Sequence, residues 1–160
     1  MKSQGHTLIE MLLALGIAAI VTALAAPSFS AFMEGRKVRA GAEQLRDVLV
    51  LAGQEAMKRN APVVVMSDGN LVTSSIAAFG ANPSVELARF QARVLITATS
   101  VTMSGSGRTS ASTVFAVAPL HSSCKAVGGP VSCYNVQVQA GGAVRLCDPT
   151  YARGNVRACL

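Results

Sequence analysis

Few side chains in this sequence stand at spacings that do chemistry. His6 and His121 lie far apart, and neither belongs to an HExxH or similar ligand pattern. The glycine-rich stretch "SGSGRTS" around Gly105 and Gly107 lacks the spacing and the lysine of a phosphate-binding loop and reads as a turn. There is no GxSxG elbow, and Asp68 and Glu86 have no partner carboxylate nearby in sequence. These features point away from an enzyme and call for neither cofactor nor metal. The remaining candidates are a carboxylate, Glu10, at the head of an apolar run, four cysteines, and a basic C-terminal tail.

Cys124, Cys133, Cys147 and Cys159 all fall near the C-terminus. Their spacings are too long for CxxC-type zinc pairs. An even cluster behind an N-terminal export segment reads as two disulfides formed outside the cytoplasm. Three pairings are possible, and the sequential one, Cys124 with Cys133 and Cys147 with Cys159, closes two short loops. Net charge is +6. After Pro62, seven bases oppose three acids, so the β-rich part is itself basic. Such a balance attracts anionic partners without specifying one.

The elements that position these residues follow from the pattern. The chain has 160 residues, enough for one domain and a membrane segment. Met11 to Ala26 carries no charge, and Leu8 to Met33 is long enough to span a bilayer. The helical pattern runs from near His6 to about Arg59, roughly 80 Å at 1.5 Å per residue. Pro27 is expected to kink it, and Gly35 and Gly41 to soften it. Past Glu34, Val38, Ala42, Leu45, Leu49, Ala52 and Ala56 recur at steps of three and four, a face built to cover a sheet. Asn60-Ala61-Pro62 ends the helix. Strands are expected at 63–66, 70–73, 93–99, 113–117, 134–139 and 143–147, with tight turns at "SDGN" and at Gly141-Gly142. Residues 74–92 and 104–112 read as looser connections. One helix followed by strands is an α+β arrangement.

The opening stretch "KSQGHTLIEMLLALGIAAIV" resembles the leader of type IV pilins and type II secretion pseudopilins. The resemblance rests on Gly5, Thr7, Leu8, Ile9 and Glu10, followed at once by the apolar run. His6 departs from it, since the family usually has Phe or another apolar residue there. It implies a leader over residues 1–5, cut after Gly5 by a prepilin peptidase, with N-methylation of His6. It further implies a transmembrane and polymerisation half-helix over 6–33 and a globular pilin domain over 34–160. That domain comprises the amphipathic helix 34–59 and a β-rich region 62–160. The implied fold is the type IV pilin fold, a long kinked helix packed on an antiparallel sheet. Glu10 is then the assembly carboxylate, an intramembrane charge paired with the α-amine of a pilin subunit.

The tail is similar to that of the FimT/FimU (GspH-like) minor pilins in Gly142, Val144, Arg145, Cys147, Asp148, Arg157, Ala158 and Cys159. The resemblance implies a minor pilin with other pilins, major and minor, as partners. It would be held in the inner membrane by one pass with its globular domain periplasmic, then displayed on the cell-surface pilus. Two alternatives share this architecture: a type II secretion pseudopilin, and a receptor for double-stranded DNA in natural transformation. The second follows from a Gly-Arg-x-Arg motif in some FimT-type pilins, which reads here Gly142-Ala143-Val144-Arg145, with Ala143 where the first Arg would stand. Arg153 and Arg157 are the further basic candidates.

Overall fold

The computed structural model describes residues 7–74, 85–89 and 94–159. The chain divides into two units, Met1–Met33 and Glu34–Leu160. Gly5 and His6 lie outside the described residues. A single helix, α1 (Leu8–Arg59), continues through Pro27. Two hydroxyls near this proline back-bond to helix carbonyls, Ser28 Oγ to Ala25 O (2.9 Å) and Ser30 Oγ to Pro27 O (2.8 Å).

The C-terminus of α1 closes as its sequence dictates. Asn60 takes a left-handed conformation (φ 48°), tolerable for Asn. The Asn60 N–H bonds Met57 O and the Ala61 N–H bonds Ala56 O, both at 3.2 Å, the double bond of a Schellman end. Pro62, without an N–H, cannot continue the helix and stands just before the first strand residue, Val63. In the last turn, a hydrogen bond from Arg59 holds the Glu55 carboxyl below its ordinary range.

Seven strands form one antiparallel sheet: β1 (Val63–Gly69), β2 (Leu71–Ser74), β3 (Val85–Arg89), β4 (Val94–Met103), β5 (Thr113–Pro119), β6 (Tyr134–Val138) and β7 (Val144–Cys147), in spatial order β3-β2-β1-β4-β5-β6-β7. Six were legible from alternation. The seventh, β3, corrects the expectation of a loose connection across 74–92. It pairs with β2 through Leu71↔Arg89 to Ser74↔Val85, so a neighbour's edge rather than its own pattern makes it a strand. The connection between β5 and β6 also contains a short 3₁₀ turn, Lys125–Val127.

Val38, Ala42, Leu45, Leu49, Ala52 and Ala56 of α1 are all buried, among Val63, Val65, Ile96, Val101, Met103, Phe115, Val117, Val136 and Val138 of the sheet. Two glycines set how closely helix and sheet approach. A Cβ on Gly41 would stand 3.2 Å from Val94 Cγ1, and one on Gly53 3.2 Å from Met103 Sδ. Gly41 is therefore a contact residue rather than the soft point its type suggests. These two contacts also fix direction: the Val94 end of β4 lies by Gly41 and the Met103 end by Gly53. Where β4 is irregular against β1, the buried Ser67 hydroxyl donates to Thr97 O (2.7 Å) and accepts from the Thr99 N–H (3.3 Å), satisfying backbone groups the ladder leaves over.

At the end of the domain beside Met57, three chain reversals meet. A Cβ on Gly105 would lie 2.7 Å from Asn60 C, one on Gly107 2.8 Å from Met57 Sδ, and one on Gly142 2.0 Å from Gly107 O. Gly107 (φ 73°) and Gly142 (φ 87°) are also left-handed. The Thr109 N–H bonds Ala140 O (3.2 Å), tying the two turns together. The glycines of "SGSGRTS" are thus accounted for structurally, Gly105 by the Asn60 backbone and Gly107 by its left-handed conformation against the Met57 side chain. The neighbouring Gly141 has open space and no positive φ. Gly142→Ala is expected to destabilise the domain by about 2 kcal/mol or more, and Gly141→Ala by under about 1 kcal/mol. Urea unfolding midpoints of the two variants check this.

Candidate functional site: the apolar helix and the disulfide-closed tail

The N-terminal unit places Glu10 in the first turn of α1. The Glu10 N–H bonds Thr7 O (3.1 Å) and lies 3.4 Å from Thr7 Oγ1. Thr7 is therefore the N-cap and Glu10 the N3 residue. "TLIE" is a capping-box sequence, a local signal that motif comparison alone passes over. A carboxylate there also complements the positive end of the helix dipole. Around and beyond Glu10, Leu8, Ile9, Leu12, Leu13, Ile17, Ile20, Leu24, Phe29 and Phe32 are exposed. The helix is long and apolar enough to cross a membrane. Its only polar side chains between Met11 and Met33 are hydroxyls, and Thr22 spends its own on Ala18 O (2.8 Å). A helix apolar on all sides is stable only in hydrocarbon or among other apolar helices.

In the second unit the four cysteines form Cys124–Cys133 and Cys147–Cys159. Among the described residues, no group of His, Cys, Asp and Glu could hold a metal. The second disulfide returns the chain end to β7. The Asp148 N–H bonds Arg157 O (2.8 Å), and Asp148 pairs with Ala158 in an isolated bridge. The nearly buried Asp148 carboxylate accepts from the Thr150 N–H (2.9 Å) and Thr150 Oγ1 (2.6 Å), which turns the loop at its start.

This fixed loop places the basic residues. Arg145, on the edge strand β7, and Arg153 and Arg157, in the loop, are all exposed. None of the three guanidinium groups bonds a described carboxylate. Two neighbouring clefts share Leu146. Arg46, Arg145 and Val156 line one; Arg39, Tyr134, Tyr151 and Arg157 line the other. Arg39 and Arg46 come from α1, two turns apart. Tail resemblance gives no hint of them; only the packing of α1 beside β7 brings them in. Arg39 bonds Glu43 (2.8 Å), which raises its pKa further.

The prokaryotic N-terminal methylation motif matches residues 1–26. No curated protein matches the chain. Two crystal structures of the type IV minor pilin FimU of Pseudomonas aeruginosa are similar to it. One gives a TM-score of 0.57 at 17% identity, covering 78% of this chain and 98% of that one. The other, from a second crystal form, gives 0.52 at 17% identity, covering 73% and 98%. The chain thus carries an N-terminal methylation motif and has a type IV pilin fold. Its fold is that of the minor pilin FimU, in agreement with the family its sequence resembles.

The geometry of the tail yields a stability expectation. The Cys147–Cys159 bond closes a short loop (sequence separation 12) whose other ties are few. Replacing both cysteines by Ser should cost about 2–3 kcal/mol. It should also speed proteolysis after Arg153 and Arg157 without disturbing cleavage at Arg108, as limited trypsin digestion would report.

Proposed function

We propose that this chain is a FimU-like minor pilin, incorporated through α1 into a type IV pilus or its tip complex and supporting pilus assembly. The observation that carries the reading is Glu10 in the first turn of an apolar, exposed helical segment that extends to Met33 and continues into a pilin-fold domain. Cleavage after Gly5 would free the α-amine of His6, the class of cation a carboxylate in hydrocarbon requires. The chain would wait in the inner membrane with its domain periplasmic, then be displayed on the surface. Prepilin peptidase and other pilins are the partners this implies.

The test is recovery of the chain in sheared pili. The mature N-terminus should be His6 by mass spectrometry. Glu10→Ala should leave the chain in the membrane fraction but lower its share of sheared pili about tenfold or more, since the α-amine loses its carboxylate partner. Wild-type recovery of Glu10→Ala, or an N-terminus following Ala26, would overturn the proposal. Loss of secretion without any pilus defect would instead favour the type II secretion pseudopilus.

A second reading, a receptor for double-stranded DNA, is supported by the exposed cations Arg145, Arg153 and Arg157. Under it, the detergent-solubilised chain retards duplex DNA at low salt. Each Arg→Ala change then weakens binding and lowers the salt slope by about one. Absence of retardation by the wild-type chain sinks this reading alone.

A further inference from the structure

The loop between β5 and β6 is not absorbed by either reading, and its position is informative. Ser122 Oγ donates to the Glu34 carboxylate. Glu34 is the first residue of the globular unit and follows directly on Met33, the last residue of the apolar segment. The Ser122 contact therefore holds the Leu120–Cys133 loop against the residue at which the chain leaves its apolar stretch.

That loop is closed by Cys124–Cys133 and folded tightly on itself. The Lys125 N–H bonds Val131 O (2.7 Å), and the Val127 and Gly129 N–H groups both bond Cys124 O (3.0 and 2.9 Å). The Gly128 N–H bonds Lys125 O (3.0 Å), and Pro130 has no N–H to satisfy. These bonds fold the tip compactly, while the carbonyls of residues 126–130 accept none of them and face the water and polar headgroups that an interface supplies. Yet the loop points apolar side chains outward: Val127 is 77% exposed and Leu120 48%. From Leu120 to Cys133 there is one basic residue, Lys125, and no acid; Arg36 and Lys37 lie just beyond Glu34 on α1. An exposed apolar side chain beside Lys125 suits the interfacial zone of a bilayer carrying anionic headgroups.

We infer that the Cys124–Cys133 loop is a membrane-surface contact. Val127 and Leu120 enter the headgroup region of the bilayer in which α1 is anchored, and Lys125 meets anionic lipid phosphates. The inference rests on the membrane anchoring of Leu8–Met33. Under it, the disulfide holds the tip in shape at the bilayer surface.

The sequence contains no Trp, so each of Val127→Trp, Val156→Trp and Leu24→Trp creates a single reporter. Val156, 99% exposed in the other disulfide loop, serves as the solvent control, and Leu24 as the membrane control. Full-length chains are reconstituted in phosphatidylethanolamine/phosphatidylglycerol vesicles containing lipids brominated at defined depths. The Val127→Trp emission is expected about 10 nm to the blue of Val156→Trp, with shallow bromines quenching it at least about twofold more, as interfacial insertion requires. Adding Lys125→Glu, or replacing phosphatidylglycerol by phosphatidylcholine, should reduce that quenching. If Leu24→Trp is quenched while Val127→Trp behaves like Val156→Trp, the lipid contact is overturned and anchoring stands. An unquenched Leu24→Trp overturns both. A blue shift of Val127→Trp without bromine quenching means the loop is covered by protein, which also overturns the inference.

Discussion

The close approach of α1 to the sheet is the constraint on which the globular unit depends. Two of its contact residues are glycines, Gly41 over Val94 and Gly53 over Met103, and three more on the same seam are alanines. The seam works by being thin. Small residues let the helix backbone come near enough for the valines of β1, β4, β5 and β6 to fill the space with only one buried aromatic, Phe115, among the described residues. A chain that is 4% aromatic can build a core only this way. The direction of the sheet relative to α1 follows from the same two contacts.

Once helix and sheet are in register, the two ends of the domain acquire different characters. At one end Asn60, Gly105, Gly107 and Gly142 crowd together, with backbone close to Gly105 and Gly142 and the Met57 side chain close to Gly107. At the other, Ser122 ties the β5–β6 loop to Glu34, the first residue of the unit. The tail is pinned along the β7 edge by Asp148 and the Cys147–Cys159 bond. The end that carries glycine is structural filling. The end that carries Glu34 presents exposed apolar and basic groups.

The two units differ in how their apolar side chains are distributed. Up to Met33 the helix offers nothing for a sheet to distinguish, because every side is apolar. From Glu34 onward charges appear on one side and small aliphatics on the other, and the sheet can take hold. Glu10 is the exception in the first part, and Thr7 shows that its position is also locally favoured, as the third residue of a capped helix. Helix initiation and, under the proposed function, a charge for assembly converge on one side chain.

Much was decided by sequence alone, because it depends on short-range physics. Helical period, the Asn-Ala-Pro stop, alternation in six strands and the glycine turns are all consequences of neighbours within a few residues. The N-terminal methylation motif is local too, and so is the uncharged run from Met11 to Ala26. What tertiary structure decided is whatever depends on which distant segments meet. β3 is a strand because β2 offers it an edge. Gly41 is a contact residue because Val94 lies over it, and Arg39 and Arg46 join the tail arginines because α1 runs beside β7. The Cys124–Cys133 loop sits at the start of the globular unit because Ser122 reaches Glu34 across 88 residues of chain. No local pattern encodes such a meeting: it arises only when the apolar face of α1 and the sheet have closed on each other.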